Sequence, residues 1–177
     1  MGLNYWLIFA LLKSVYSMKK FATEIKWGIR YAFLWIFWLF IEKRFGYYEA
    51  KISDHALYSM LFIFVTIFVY YVAIKEKKKD FFKDNMSWKQ GVTTGIFLTI
   101  VITVLTPVCQ IIFHKAIAPE FFPNMIEYSI SKGNSRETAT AYFNLSSYII
   151  QSIFATLSFG VVLSAVVALF LQTKVKK

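Results

Sequence analysis

The sequence predicts an all-α, polytopic membrane protein, because long apolar runs divide the chain and its basic residues lie mostly on one side of them. Of the 177 residues, 58% are hydrophobic, whereas a soluble domain has about 45–50% apolar residues. A helix needs roughly 20 apolar residues to cross a bilayer. The four predicted crossings cover residues 25–41, 56–74, 91–113 and 146–171.

The distribution of charge predicts how these crossings are oriented. Fourteen of the 20 Lys and Arg residues lie in or beside the two tails and residues 75–90. The other six lie in the two remaining loops, where six acidic residues balance them. Because positive loops stay on the cytoplasmic side during insertion, the sequence predicts an inner-membrane protein with both termini in the cytoplasm.

The chain divides into an N-terminal extension, residues 1–17, and a membrane domain, residues 18–177. The extension contains an apolar stretch from Tyr5 to Leu12 that ends at Lys13. It is either an interfacial helix or an upstream addition of little consequence.

Two segments on the predicted cytoplasmic side carry candidate lipid contacts. Lys26 and Arg30 lie one helical turn apart, so they either snorkel to the head groups or grip a lipid phosphate together. Residues 75–90 interleave lysines with aromatic residues, which is typical of a segment on an anionic membrane surface. A solvated loop with chance aromatics is the alternative.

The third and fourth crossings each carry small residues at every fourth position. Such residues let two helix backbones approach closely, and their hydroxyls can bond across the gap. The pattern predicts a tight contact between these crossings, although small residues are also common in membrane helices. The stripes are Gly91, Gly95, Thr99, Thr103 and Pro107 in the third crossing, and Ser152, Thr156, Gly160, Ser164 and Ala168 in the fourth.

The longest loop lies on the predicted outer side, between the third and fourth crossings. Apolar residues at helical spacing before Gly133 predict a short amphipathic helix there, with the glycine as its stop. Asn134 or Ser135 can cap the next helix, with Glu137 completing a capping box. Pro107 predicts a kink in the third crossing.

A second candidate site lies near this outer end. Gln110 and His114 share a helix face, as do Tyr148 and Gln151 on the following crossing. If the two helices pack along their stripes, these four side chains form an outer polar pocket. Ordinary interfacial polarity is the alternative reading. The other histidine, His55, has no evident partner in the sequence.

No pattern in the sequence indicates an enzyme or a cofactor. The predicted crossings contain no acidic residue for a proton relay. No phosphate-binding loop or nucleophile motif is present, and one cysteine with two histidines cannot make a typical zinc site unaided. Because the basic residues border membrane spans, we expect anionic lipids and not nucleic acid as partners.

Three short motifs resemble those of a bacterial family of small four-helix inner-membrane proteins that is known only as a domain of unknown function. They are Ser87-Trp88-Lys89-Gln90-Gly91, Ala118-Pro119-Glu120-Phe121-Phe122, and a glycine in the last crossing, Gly160. The resemblance covers roughly residues 18–175. It implies a fold and a location but supplies no catalytic or binding residues.

Two functional classes are consistent with these observations. One is a structural or regulatory membrane subunit that acts through a protein partner or as a homo-oligomer, and the sequence favours it. The other is a lipid-handling protein for an anionic or polyprenyl-linked lipid, which would use the inner basic residues and the outer polar pocket.

Overall fold

The computed structural model describes the backbone of residues 3–174 and the side chains of residues 20–174. A 3-10 turn (Ile52–Asp54) leads into the second helix, and a π turn (Phe113–Ile117) extends the fourth. This part of the chain contains no strand, so the all-α prediction is confirmed. The helices are α1 (Leu3–Arg44), α2 (His55–Met60), α3 (Phe62–Asp80), α4 (Trp88–Ile112), α5 (Phe121–Ser131), α6 (Arg136–Tyr142) and α7 (Leu145–Leu171).

Within the described residues, three helical segments are long and apolar enough to cross a membrane. They are Ile52–Asp80, Trp88–Ile117 and Leu145–Leu171, and they contain the second, third and fourth predicted crossings. The first predicted crossing lies inside α1, where Trp and Tyr residues and two cations lower the mean hydropathy. That crossing, and with it the total of four, stays a prediction.

The first helix begins well before the predicted membrane domain. Helix α1 runs for 42 residues, about 63 Å at 1.5 Å per residue. Its backbone continues without a break through the predicted boundary between residues 17 and 18. Met1, Gly2 and the residues after Lys174 lie outside the described part of the chain, as do the side chains before Lys20.

The long helices pack around α4, which contacts α1, α3 and α7. Leu98 and Ile102 of α4 are buried in a core shared with Tyr70 of α3 and Val167 of α7. On the α1 side, a Cβ atom added at Gly28 would lie 3.0 Å from the Cβ of Val101. Helix α4 therefore forms the centre of the structure.

The two small-residue stripes lie against each other between α4 and α7. A Cβ atom at Gly91 would lie 2.8 Å from the Cβ of Ala168, and one at Gly95 would lie 2.9 Å from the Cα of Ser164. These distances are shorter than any normal carbon–carbon contact between side chains. The absence of side chains at the glycines is therefore what allows the two backbones to approach.

Gly160 lies against a hydroxyl pair contributed by two other helices. The hydroxyl groups of Tyr70 and Thr99 form a hydrogen bond, with 2.7 Å between their oxygens. A Cβ atom at Gly160 would lie 2.6 Å from the Tyr70 hydroxyl oxygen. The hydroxyls of Thr99 and Ser164 also donate to carbonyls one turn back in their own helices. Helices α3, α4 and α7 thus meet at one satisfied polar contact inside the apolar region.

Four other residues of the stripes lie outside these closest contacts, and one of them, Ser152, accepts a hydrogen bond from Gln110. The hydroxyl of Thr103 donates to the Thr99 carbonyl within α4. Thr156 lines an apolar groove between α3 and α7. Helix α4 continues through Pro107 and widens into the π turn six residues later; the predicted kink stays a prediction.

Residues 75–90 take a different form from the predicted surface segment or solvated loop. Helix α3 continues to Asp80, and a tight return with positive φ angles at Lys83 (51°) and Asp84 (64°) brings the chain back. Met86 is fully buried, and its N–H donates to the Thr173 hydroxyl at 3.0 Å. The return loop is therefore packed against the end of α7.

The outer loop contains the predicted amphipathic helix and a second short one. Helix α5 ends before Gly133, whose φ is +94°. Ser135, not Asn134, caps α6 by accepting from the Thr138 N–H. Helix α6 ends at Tyr142, and Asn144 caps a new helix, α7.

We expect Gly95→Leu and Gly160→Leu to destabilise the protein by about 1–3 kcal/mol or more, because the added atoms overlap backbone and hydroxyl groups that cannot move aside. Thermal unfolding in detergent measures the effect. Ala155→Leu is the control, since Ala155 is an exposed residue of the same helix, α7. Parental unfolding temperatures in both glycine variants would contradict a close contact between α4 and α7.

Candidate functional site

One end of the structure, here called the basic end, is held together by a buried ion pair between α1 and α3. Lys77 lies 2.9 Å from Glu24, and each side chain is only 3% exposed. Lys77 also donates to the backbone carbonyl of Lys20. Removing one member of such a pair leaves an uncompensated buried charge, so the pair fixes how α1 and α3 align.

The two predicted lipid-gripping residues have partners within the protein. Lys26 forms an ion pair with Glu76 of α3, and the indole N–H of Trp27 donates to the same carboxylate at 3.1 Å. The guanidinium of Arg30 lies 4.7 Å from the centroid of the Trp27 ring. Lys26 therefore helps to join α1 to α3, whereas Arg30 packs on Trp27 of its own helix, and their joint grip on a phosphate stays a prediction.

A cavity of about 440 Å³ opens at the basic end between α1, α3 and α4. Its polar part carries three lysines, of which Lys77 is buried and the other two are exposed. Aromatic side chains also line the cavity, and the rings of Phe21 and Phe97 lie 4.4 Å apart. The residues that matter most here are Lys20, Phe21, Lys77, Lys89, Gln90 and Phe97.

At the opposite end, the carboxylate of Glu42 is fully buried at the end of α1. It accepts hydrogen bonds from the Trp38 indole (2.8 Å), the Tyr48 hydroxyl (2.5 Å) and the Ser59 hydroxyl (2.6 Å). Among the described residues, no lysine or arginine pairs with it. Three neutral donors thus hold a buried carboxylate, which joins α1, the following loop and α2.

His55, for which the sequence showed no partner, lies beside this carboxylate. Its Nε2 atom is 3.9 Å from Glu42 and 3.4 Å from the Ser59 hydroxyl. Burial, and then the adjacent carboxylate of Glu42, raises the pKa of Tyr48 far above its ordinary value. The Tyr48 hydroxyl therefore remains protonated and remains a donor.

The structure brings together some, but not all, of the four residues predicted for an outer pocket. His114 is buried in an aromatic cluster, with its ring centroid 5.9 Å from that of Tyr148. Gln110 donates to the Ser152 hydroxyl at 3.0 Å. Gln151 is exposed and borders a shallow groove with Tyr148. His114 and Tyr148 pack together, whereas Gln151 faces outward.

Besides Oε1 of Glu120, which lies in an ion pair with Lys43, two buried polar atoms at this end have no hydrogen-bond partner within the described part of the chain. They are Oε1 of Gln110 and Nδ1 of His114. Buried polar atoms of this kind are uncommon in native structures. They lie on α4 and on the π turn that follows it.

A surface ion pair ties the end of α1 to the outer loop. Lys43 lies 2.8 Å from Glu120 and also donates to the carbonyl of Ile117. Burial raises the pKa of the Glu120 carboxyl, but the hydrogen bond and the charge of Lys43 outweigh it and hold that pKa below its ordinary value. Glu120 therefore stays charged and paired near neutral pH.

Sequence reasoning missed Glu42 and the lysines of the cavity. The one local signal for Glu42 was Trp38, whose indole lies one turn earlier on the same face. Its other two donors come from residues 6 and 17 positions away, across a turn that the sequence did not define. Lys20 and Lys89 were counted only as part of a general basic surface.

The helical fold, with three segments able to span a bilayer and polar networks at both ends, is that of an α-helical membrane protein. A family model described as "Protein of unknown function (DUF4199)" matches residues 26–173. The chain belongs to this family, which confirms the resemblance to a domain of unknown function; the bacterial origin and the four helices stay predictions. No curated protein and no solved structure matches the chain significantly.

We expect Glu42→Ala to lower the stability by about 1–3 kcal/mol or more, because it leaves the buried Tyr48 hydroxyl and two partly buried donors without their acceptor. Glu42→Gln retains one acceptor oxygen and should lose less. Thermal unfolding in detergent measures both, with the exposed Glu49→Ala as control. If Glu42→Ala unfolds at the parental temperature, the network does not stabilise this end.

Proposed function

We propose that this chain is a non-enzymatic protein of the bacterial inner membrane, with four crossings and both termini in the cytoplasm, that binds an anionic lipid. The carrying observation is the cavity at the basic end, which combines lysines and aromatic side chains in one lining. A lipid has the same two parts, an anionic head group and apolar chains.

The packing of α1 supports its assignment as a fourth crossing. Helix α1 lies antiparallel to α2 and α3 over its apolar length, from the pair of Glu24 with Lys77 of α3 to the hydrogen bond between Glu42 and Ser59 of α2. Between these ends, the hydroxyl groups of Tyr31 and Thr66 form a hydrogen bond, with 3.3 Å between their oxygens. A helix that accompanies a membrane-spanning helix over this length traverses the same layer.

The proposed topology rests on which residues share an end. Glu24 of α1 meets Lys77 of α3, and Thr173 beyond α7 donates its N–H to the Met86 carbonyl at 2.8 Å. The return loop and the chain after α7 thus lie at the basic end, with most of the positive charge. The positive-inside rule assigns that end to the cytoplasm.

A role as a structural or regulatory subunit is the second candidate, and one observation favours it. Gln151 and Ser158 of α7 are both exposed and lie on the same face, with Ala155 between them. An amide within a membrane helix gains from a hydrogen-bonding partner on another helix. This face suits a partner helix, from another protein or from a second copy of the chain.

We expect reporter fusions after Lys177 and within residues 75–90 to read cytoplasmic, and a fusion near Gly133 to read external. The reason is that the positively charged segments resist translocation. An alkaline phosphatase and fluorescent protein pair, inserted at the same three positions, makes the comparison internally controlled. An external signal at the C-terminus would exclude four crossings with cytoplasmic termini.

We expect native mass spectrometry of the gently purified protein to show bound anionic lipid and not zwitterionic lipid, because the lysines at the basic end attract negative head groups. The same spectrum detects a protein partner or a second copy. A stoichiometric protein complex without retained lipid would support the subunit role and contradict lipid binding.

A further inference from the structure

The cavity at the basic end has a charge that distinguishes between classes of anionic lipid. Its lining carries three lysines, Lys20, Lys77 and Lys89, against one acidic residue, Glu24. The buried pair of Lys77 with Glu24 is neutral as a unit. The two exposed lysines on α1 and α4 therefore supply a net charge of +2.

The shape of the cavity follows the layout of a lipid. Lys89 and Gln90 lie in the first turn of α4, whereas Phe97 lies eight residues further along the same helix, about 12 Å deeper at 1.5 Å per residue. Phe97 is 36% exposed and packs on Phe21. The cavity thus extends from the cationic start of α4 to an aromatic wall, where the Lys20 ammonium lies 5.5 Å from the centroid of the Phe21 ring.

The residues around Lys20 and Lys89 are held in place by contacts that do not pair these two lysines with acidic side chains. The hydroxyl of Ser87 and the side chain of Gln90 form a capping box at the start of α4. The Lys77 ammonium donates to the backbone carbonyl of Lys20 and so positions that residue beside α3. Among the described residues, no acidic side chain forms an ion pair with Lys20 or Lys89.

We propose that this cavity binds the terminal phosphate monoester of a membrane lipid, with Lys20 and Lys89 as its phosphate ligands. A phosphate monoester carries about −1.5 to −2 charges at pH 7, which the two free lysines balance. A phosphodiester head group carries one charge and a further substituent beyond the phosphate, so it matches the two lysines less well. This inference rests on the proposed lipid-binding function and names its site and ligand class.

The test compares two double variants of the full chain in nanodiscs that contain either phosphatidic acid or phosphatidylglycerol. Lys20→Gln with Lys89→Gln removes the two proposed ligands. Lys75→Gln with Lys79→Gln is the matched control, since it removes two exposed lysines from the same end but outside the cavity. All four positions are exposed, so both variants should unfold at the parental temperature.

We expect the parent to bind phosphatidic acid in preference to phosphatidylglycerol, and the cavity variant to bind phosphatidic acid about tenfold or more weakly, because it loses two charge-assisted contacts. The control variant should bind it nearly as the parent does. Inorganic phosphate should displace the lipid only weakly, because it lacks the chains that contact the aromatic wall.

Four results would overturn the assignment in distinguishable ways. Equal losses in both variants would indicate a diffuse basic surface, and no loss in either would place the lipid elsewhere while leaving the proposed function intact. Binding of inorganic phosphate as tight as that of the lipid would make free phosphate the ligand. A parent that retains neither lipid would contradict lipid binding as a function.

Discussion

The close approach of α4 to α7 is the contact on which the rest of the structure depends. Apolar lipid provides no hydrophobic force between helices, so their association relies on close packing and on hydrogen bonds across the gap. The glycines of both helices permit that approach, and the Tyr70–Thr99 pair adds a bond that includes α3. Because α1 and α3 also pack on α4, a change that separates α4 from α7 would displace every other long helix.

The two ends of the structure hold buried charge by opposite means. At the basic end, Lys77 and Glu24 neutralise each other directly. At the other end, Glu42 has only neutral donors around it. A carboxylate held this way is stabilised by oriented dipoles, and its surroundings tolerate little rearrangement. The basic end leaves two of its cations exposed around a cavity, which makes it the end better suited to an anionic ligand.

Much of the fold could be predicted from the sequence, because membrane helices are encoded locally. The lengths of the apolar runs predicted three of the spans. Small residues at every fourth position predicted the faces through which α4 and α7 pack. The sites were less predictable because they depend on pairings distant in sequence. The sequence shows Lys26 as a free cation, because its partner Glu76 lies 50 residues later in the chain. Glu42 likewise reads as a loop residue after the first crossing. The break between α6 and α7 is marked by one residue, Asn144, whose side chain caps α7.

The fixed ends of α7 have a consequence for how the protein fits its bilayer. The helix has 27 residues, about 40 Å, whereas a typical hydrocarbon layer is about 30 Å thick. Asn144 caps one end and Thr173 is hydrogen-bonded to the return loop beyond the other, so neither end is free to unwind. A mismatch in thickness is then met by tilt or by local thickening of the bilayer. Since α7 is packed closely against α4, a tilt of α7 carries α4 with it, so the bilayer adjusts to the two helices as one body.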